Sequence, residues 1–121
     1  MKLKRLDCMF SICKVEDFSR IDLSLPFHFA ACTDEECSLV CPTEHVPADA
    51  LVRDDGWRAF RIEGVLDFSL IGILARISTL LAQNRIGIFA VSTYNTDYIL
   101  TKAESFDRAL QVLAESGFDI L

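Results

Sequence analysis

From Trp57 to Lys102 the chain reads WRAFRIEGVLDFSLIGILARISTLLAQNRIGIFAVSTYNTDYILTK, and the rhythm of its apolar residues changes along the way. Phe60 and Ile62 alternate with Arg61 and Glu63, the period-two pattern of a strand with one solvated face. After a turn at Gly64, Leu70, Ile73, Leu74, Ile77, Leu80 and Leu81 recur at helical spacing, with Gly72, Arg76, Thr79 and Gln83 on the other side. This predicts an amphipathic helix of about four turns, with Ser69 as N-cap and Asn84 near its far end. Ile86 to Val91 is almost continuously apolar, as expected of a strand buried on both faces. Tyr98 to Thr101 is its expected antiparallel partner across Tyr94-Asn95-Thr96-Asp97.

Working outward to the carboxy-terminal side, Phe106, Ala109, Leu110 and Leu113 form a second helical stripe, with Glu104 and Asp107 near its start and Gly117 placed to end it. Phe118 to Leu121 supplies a last short strand. The succession is β-α-β-β-α-β, so the predicted fold is α+β, a ferredoxin-like sandwich over 57–121. On the amino-terminal side the signals are weaker. Leu6, Cys8, Phe10 and Ile12 alternate as in an opening strand, and Val15 to Leu25 reads as short helix or loop. Phe27 to Cys32 and Ser38 to Cys41 read as strands around a helical turn at Thr33-Asp34-Glu35-Glu36. Pro42, Pro47 and the polar run Arg53-Asp54-Asp55-Gly56 frame a connection into Trp57. The expected division is therefore a smaller half at 1–52 and a larger domain at 57–121.

Gly64-Val65-Leu66-Asp67-Phe68-Ser69-Leu70-Ile71-Gly72-Ile73-Leu74-Ala75, Leu81-Ala82, Ile86-Gly87-Ile88 and Ser92-Thr93-Tyr94-Asn95-Thr96-Asp97-Tyr98-Ile99-Leu100 together resemble the ACT domain of the CASTOR-like group. Thr33 to Pro42 is similar to the smaller, amino-terminal ACT-like half of the same small bacterial proteins. The resemblance implies a regulatory module that binds a small molecule, usually an amino acid, at a domain or subunit interface, and that is not itself a catalyst.

Composition narrows the function independently. A formal net charge of -6 and a pI near 4.8 argue against a nucleic-acid or anionic-membrane surface, which needs a basic face. No stretch approaches the ~18 uninterrupted apolar residues of a membrane span, and Asp7 interrupts the basic and apolar start, which is too short for a signal peptide. A cytoplasmic protein is expected. With 51% hydrophobic residues and a mean hydropathy of +0.30, so small a chain is expected to bury some surface between subunits, as a homodimer.

All five cysteines precede residue 42, and Cys32, Cys37, Cys41 and His45 invite a zinc reading. Their spacing matches no compact knuckle, so cysteines acting as small buried hydrophobes, with Cys8 and Cys32 pointing inward, are the favoured alternative. An odd count argues for a reducing compartment. His28 and His45 lie in no nucleophile motif. Gly64 and Gly72 are too far apart for a dinucleotide loop. Phe27-His28-Phe29 lacks the basic neighbours of an RNA stacking platform. No metal or other cofactor is expected.

Two segments carry chemistry. At Asp67, Phe68, Ser69, Leu70, Ile71 and Gly72, the free amides and dipole of a helix start favour a carboxylate, although ordinary capping by Ser69 and Asp67 explains the same residues. Ser92, Thr93, Tyr94, Thr96 and Asp97 read first as hairpin chemistry, and they also concentrate hydroxyls and one carboxylate at a strand end. Joined, the two segments would read an amino-acid zwitterion: carboxylate on the helix amides, ammonium on Asp97 or Asp67, side chain among Phe68, Ile71, Thr93 and Tyr94. The expected function is recognition of a small molecule without turnover. The alternatives are a structural assembly module with a vestigial pocket, and a zinc-stabilised protein.

Overall fold

A computed structural model describes residues 1–63 and 72–121. Among them are eight strands and two α-helices: β1 (Lys2–Arg5), β2 (Phe10–Val15), β3 (Phe29–Cys32), β4 (Cys37–Pro42), β5 (Val52–Ile62), α1 (Ile73–Gln83), β6 (Phe89–Ser92), β7 (Asp97–Lys102), α2 (Ala103–Glu115) and β8 (Asp119–Ile120). A 3-10 turn occupies Thr43–His45. The chain forms two compact units, Met1–Asp7 with Arg58–Leu121, and Cys8–Trp57. The first seven residues thus belong with the larger unit, whereas the sequence pattern had grouped them with the amino-terminal half.

The larger unit is the α+β, ferredoxin-like arrangement that the pattern predicts, with one addition. Its strands run in the order β6-β7-β5-β1-β8, so β1 lies between the first and last strands of the β-α-β-β-α-β succession. β1 pairs antiparallel with β5, Leu3 opposite Ile62, and parallel with β8, Leu3 opposite Ile120. Leu3 is fully buried and explains the insertion: it joins Phe60, Ile62 and Ile99 of the sheet in a core closed by Ile77 and Leu81 of α1 and Phe106, Ala109, Leu110 and Leu113 of α2. Each of the larger side chains contributes about 1.5–3 kcal/mol by leaving water.

Three details of this unit differ from the expectation. α1 begins at Ile73 with Gly72 as its N-cap, at φ 89° and without a capping side chain; the expected cap at Ser69 lies outside the described residues. At the other end Arg85, not Asn84, takes the left-handed conformation, at φ 60°. Asn84 is helical enough (φ -100°) for its side-chain amide to donate to the Leu80 carbonyl at 2.8 Å. Finally, the apolar run from Ile86 does not form one doubly buried strand. Only Phe89–Ser92 is strand, at the edge of the sheet, with Ala90 and Ser92 exposed, and Ile86 is buried in the approach to it. Its apolarity serves the way into the core rather than two covered faces. The hairpin pairing itself is as expected, Phe89 opposite Leu100 through Ser92 opposite Asp97.

In the smaller unit the order is β3-β4-β2-β5, all antiparallel. Beyond Val15, which ends β2, residues 16–25 are loop: Asp17 and Asp22 accept from the backbone and hydroxyl of Ser19 and Ser24, and these local bonds displace a helix. Phe18 and Ile21 of that loop pack on Cys13, Val15, Leu39 and Cys41 and so close the small core. The polar run at 53–56 is strand rather than connection. There β5 bulges opposite β2, with Gly56 at φ 85°, and the exposed Asp55 accepts from the buried Ser11 hydroxyl at 2.6 Å.

The two units repeat one plan. In each, a first strand (β2 or β5) lies beside the second strand of a hairpin (β3–β4 or β6–β7), and Phe29–Pro42 aligns without a gap on Phe89–Lys102, Ala30 on Ala90, Thr33 on Thr93, Leu39 on Ile99. The residues at Thr33–Glu36 therefore make a hairpin turn, not the expected helical one: Thr33 N donates to the Glu36 carbonyl at 2.8 Å, as Thr93 N does to Thr96.

Candidate functional site

The site is built on the β6–β7 turn and the end of β5. In the turn, the Thr93 amide and hydroxyl both donate to the Thr96 carbonyl, at 2.8 and 3.1 Å, and its hydroxyl also receives the Thr96 amide at 3.4 Å. Thr96 is only 6% exposed, and its hydroxyl donates to the carbonyl of Ile62, the last residue of β5, at 2.7 Å. This one bond pins the turn to the point where the chain leaves the sheet for α1. Just outside it, the Ser92 hydroxyl donates to the Asp97 carboxylate across the hairpin at 2.5 Å. A carboxylate held by one donor keeps its remaining acceptor positions for a cationic group.

Next to the turn is a group that the sequence reading did not select. Arg61 donates to Glu63 at 3.1 Å and to the Tyr98 hydroxyl at 3.4 Å, bridging β5 to β7. Its guanidinium is pushed further toward the charged form by the bond to Tyr98 first and by Glu63 second. The alternation of Arg61 with the buried Phe60 and Ile62 marked it as facing away from the core, which was the available signal.

The expected site residues fare differently. Ser92, Thr93, Thr96 and Asp97 converge at one sheet end, the Thr96 hydroxyl being engaged with the Ile62 carbonyl. Tyr94 is 87% exposed at the tip of the turn. Gly72 ends the described part of the helix entry, in a left-handed conformation with open space where a Cβ would go. Asp67, Phe68, Ser69, Leu70 and Ile71 lie outside the described residues.

Elsewhere in the same unit, a groove of about 400 Å³ is lined by Lys4, Arg5, Asp7, Arg58 and Leu121, beside the middle of β5. Two of its cations are engaged: Arg58 stacks over the Phe106 ring at 4.3 Å and Arg5 Nε donates to the Leu121 carbonyl at 3.3 Å. Among the described residues no group of three or more His, Cys, Asp or Glu could hold a metal ion. Cys41 is buried beside Cys13, Cys32 is exposed at a strand end, and His45 stacks on His28 with centroids 5.1 Å apart. Of the two cysteines expected to point inward, Cys8 is half-buried and Cys32 is exposed; Cys13 and Cys41 hold that role. No described helix is long and apolar enough to cross a membrane.

The family model of the ACT domain matches residues 52–115. The protein Atu0741 from Agobacterium tumefaciens is 31% identical, with a TM-score of 0.88 over 99% of this chain and 91% of that one. A protein of unknown function from Vibrio cholerae, VC0802, described as a possible transport protein, is 20% identical, with a TM-score of 0.71 over 92% of this chain and 85% of its own. The ligand-free regulatory subunit of aspartate kinase from Thermus thermophilus shares the fold at 11% identity, with a TM-score of 0.61 over 91% and 93% of the two chains. No curated protein matches the chain.

Proposed function

Because this chain belongs to the ACT domain family, we propose that it is a ligand-binding regulatory module that recognises a small molecule without turning it over. The ligand we assign is a free amino acid, and the group within the family is the CASTOR-like one. The observation that carries the reading is the Thr96–Ile62 bond, which holds the Ser92–Asp97 pair at the sheet end from which the chain departs toward α1. Asp97 is the acceptor for the α-ammonium, and the amides from Ser69 to Gly72 are the donors for the α-carboxylate. The regulatory role named for the aspartate kinase subunit of the same fold supports this reading. In this proposal the smaller unit is a reduced ACT-like half, and the protein works in the cytoplasm away from nucleic acid and membrane.

Calorimetric titration with the twenty amino acids tests the site. Binding of at least one is expected, weakened by ~1–3 kcal/mol, roughly 5- to 150-fold, in Asp97→Asn. Undiminished binding in that variant would remove Asp97 from the site. Absence of binding for all twenty, with no small molecule released on denaturing the purified protein, would leave the assembly-module alternative.

A further inference from the structure

Cys32 and Cys37 face each other as partners in the β3–β4 ladder, next to the bonded pair Thr33–Glu36, with their sulfurs 3.1 Å apart. Ladder pairs alternate between bonded and non-bonded, so 32–37 occupies a narrow, non-bonded position. The Cα separation there, about 4.5 Å, falls inside the range that a disulfide spans. Cys32 is exposed on the edge strand, while Cys37 packs partly against the small core. Cys13 and Cys41 are shut away from solvent, at 3% and 0% exposure. The equivalent positions in the other hairpin, Ser92 and Asp97, are joined by an O–H···O bond instead. The same backbone station thus carries a polar tether in one unit and a dithiol in the other.

We infer that Cys32 and Cys37 are a thiol–disulfide modification site, oxidised to an intramolecular disulfide by exchange with a low-molecular-weight disulfide of the glutathione class. The exposed Cys32 sulfur, as thiolate, attacks one sulfur of the reagent; that S–S bond breaks, a mixed disulfide forms, and the first reagent thiol departs. The Cys37 sulfur then attacks Cys32 Sγ as its proton leaves, closing the protein disulfide and releasing the second reagent thiol. Two protein thiols become one disulfide while one reagent disulfide becomes two thiols, which carry away both protons. The order follows from access and from charge: Cys37 is held as the protonated thiol, first by its hydrogen bond with Cys32, then by burial and by the nearby negative charges of Asp17 and Glu36.

The whole protein is equilibrated in mixtures of oxidised and reduced glutathione, quenched with an alkylating agent and read by intact mass and peptide mapping. In an oxidising mixture, two of the five thiols are expected to escape alkylation, and the map should join Cys32 to Cys37. Cys37→Ser should instead accumulate one glutathionyl adduct on Cys32, because the second displacement is lost, and Cys32→Ser should accumulate several-fold less. Five alkylated thiols in the oxidising mixture would overturn the inference, as would a linkage through any other cysteine. Equal adduct levels in the two variants would overturn the assigned order of attack.

Discussion

Through one hydroxyl, Thr96 ties the hairpin turn to the end of β5. Thr96→Val keeps the shape but leaves the Ile62 carbonyl without its donor, so a loss of about 1–3 kcal/mol is expected in urea unfolding. Ser92→Ala, at an exposed position, should stay within about 0.5 kcal/mol of the parent. Gly72 needs a different reading from the one its sequence context suggests. A Cβ there meets nothing within 4 Å, but φ 89° costs an L-residue about 1–2 kcal/mol. Weakened binding in Gly72→Ala would therefore report the backbone as much as any ligand approach. Cys41 gives a pH signature. Burial pushes its thiol up to about 12 from an ordinary 9.0, so the unfolded chain loses this proton first, and stability should fall as pH rises between those values. Unfolding at stepped alkaline pH should show that slope, flattened in Cys41→Ala.

At the scale of the element, the helices were legible because their stripes are long: Ile77 and Leu81, and Phe106 through Leu113, repeat over enough turns to specify one buried face. Gly117 ends α2 at φ 100°, so Gly117→Ala should cost about 1–2 kcal/mol in thermal or urea unfolding. Gly87→Ala, at a glycine without positive φ and with room for a methyl, should be near neutral. Short elements were read less well, for physical reasons. Ile86 to Val91 is as apolar as a central strand, and apolarity cannot say whether a residue is buried within a sheet or on the way into it. Thr33–Glu36 has the acids of a helix start, and only the cross-strand pairing decides that it is a turn. Of the candidate site, the hairpin residues could be named from sequence. The Arg61–Tyr98 bridge could not, because it depends on β5 and β7 being neighbours, which no local pattern records.

For the whole molecule, the sequence implied a ferredoxin-like unit but not that β1 would be drawn into it. That pairing lies beyond any window of periodicity, since Leu3 finds Ile62 and Ile120 at opposite ends of the later sequence. Leu3→Ala should accordingly cost about 2–5 kcal/mol, as a central core position does, and the loss should be read in the unfolding of the larger unit. We also propose a homodimer. Its support is the set of exposed aliphatic side chains Leu23, Leu25, Leu51 and Val52 on the smaller unit, and light scattering at micromolar concentration should give twice 13.6 kDa rather than the single-chain value. The place of β1 also bears on how the chain matures during synthesis. Residues 8–57 are contiguous and close their own sheet locally, while β1, made before them, must wait unpaired on one side until β8 emerges. β1 is thus made before either strand it pairs with, and the larger sheet can be completed only once β8 has followed it.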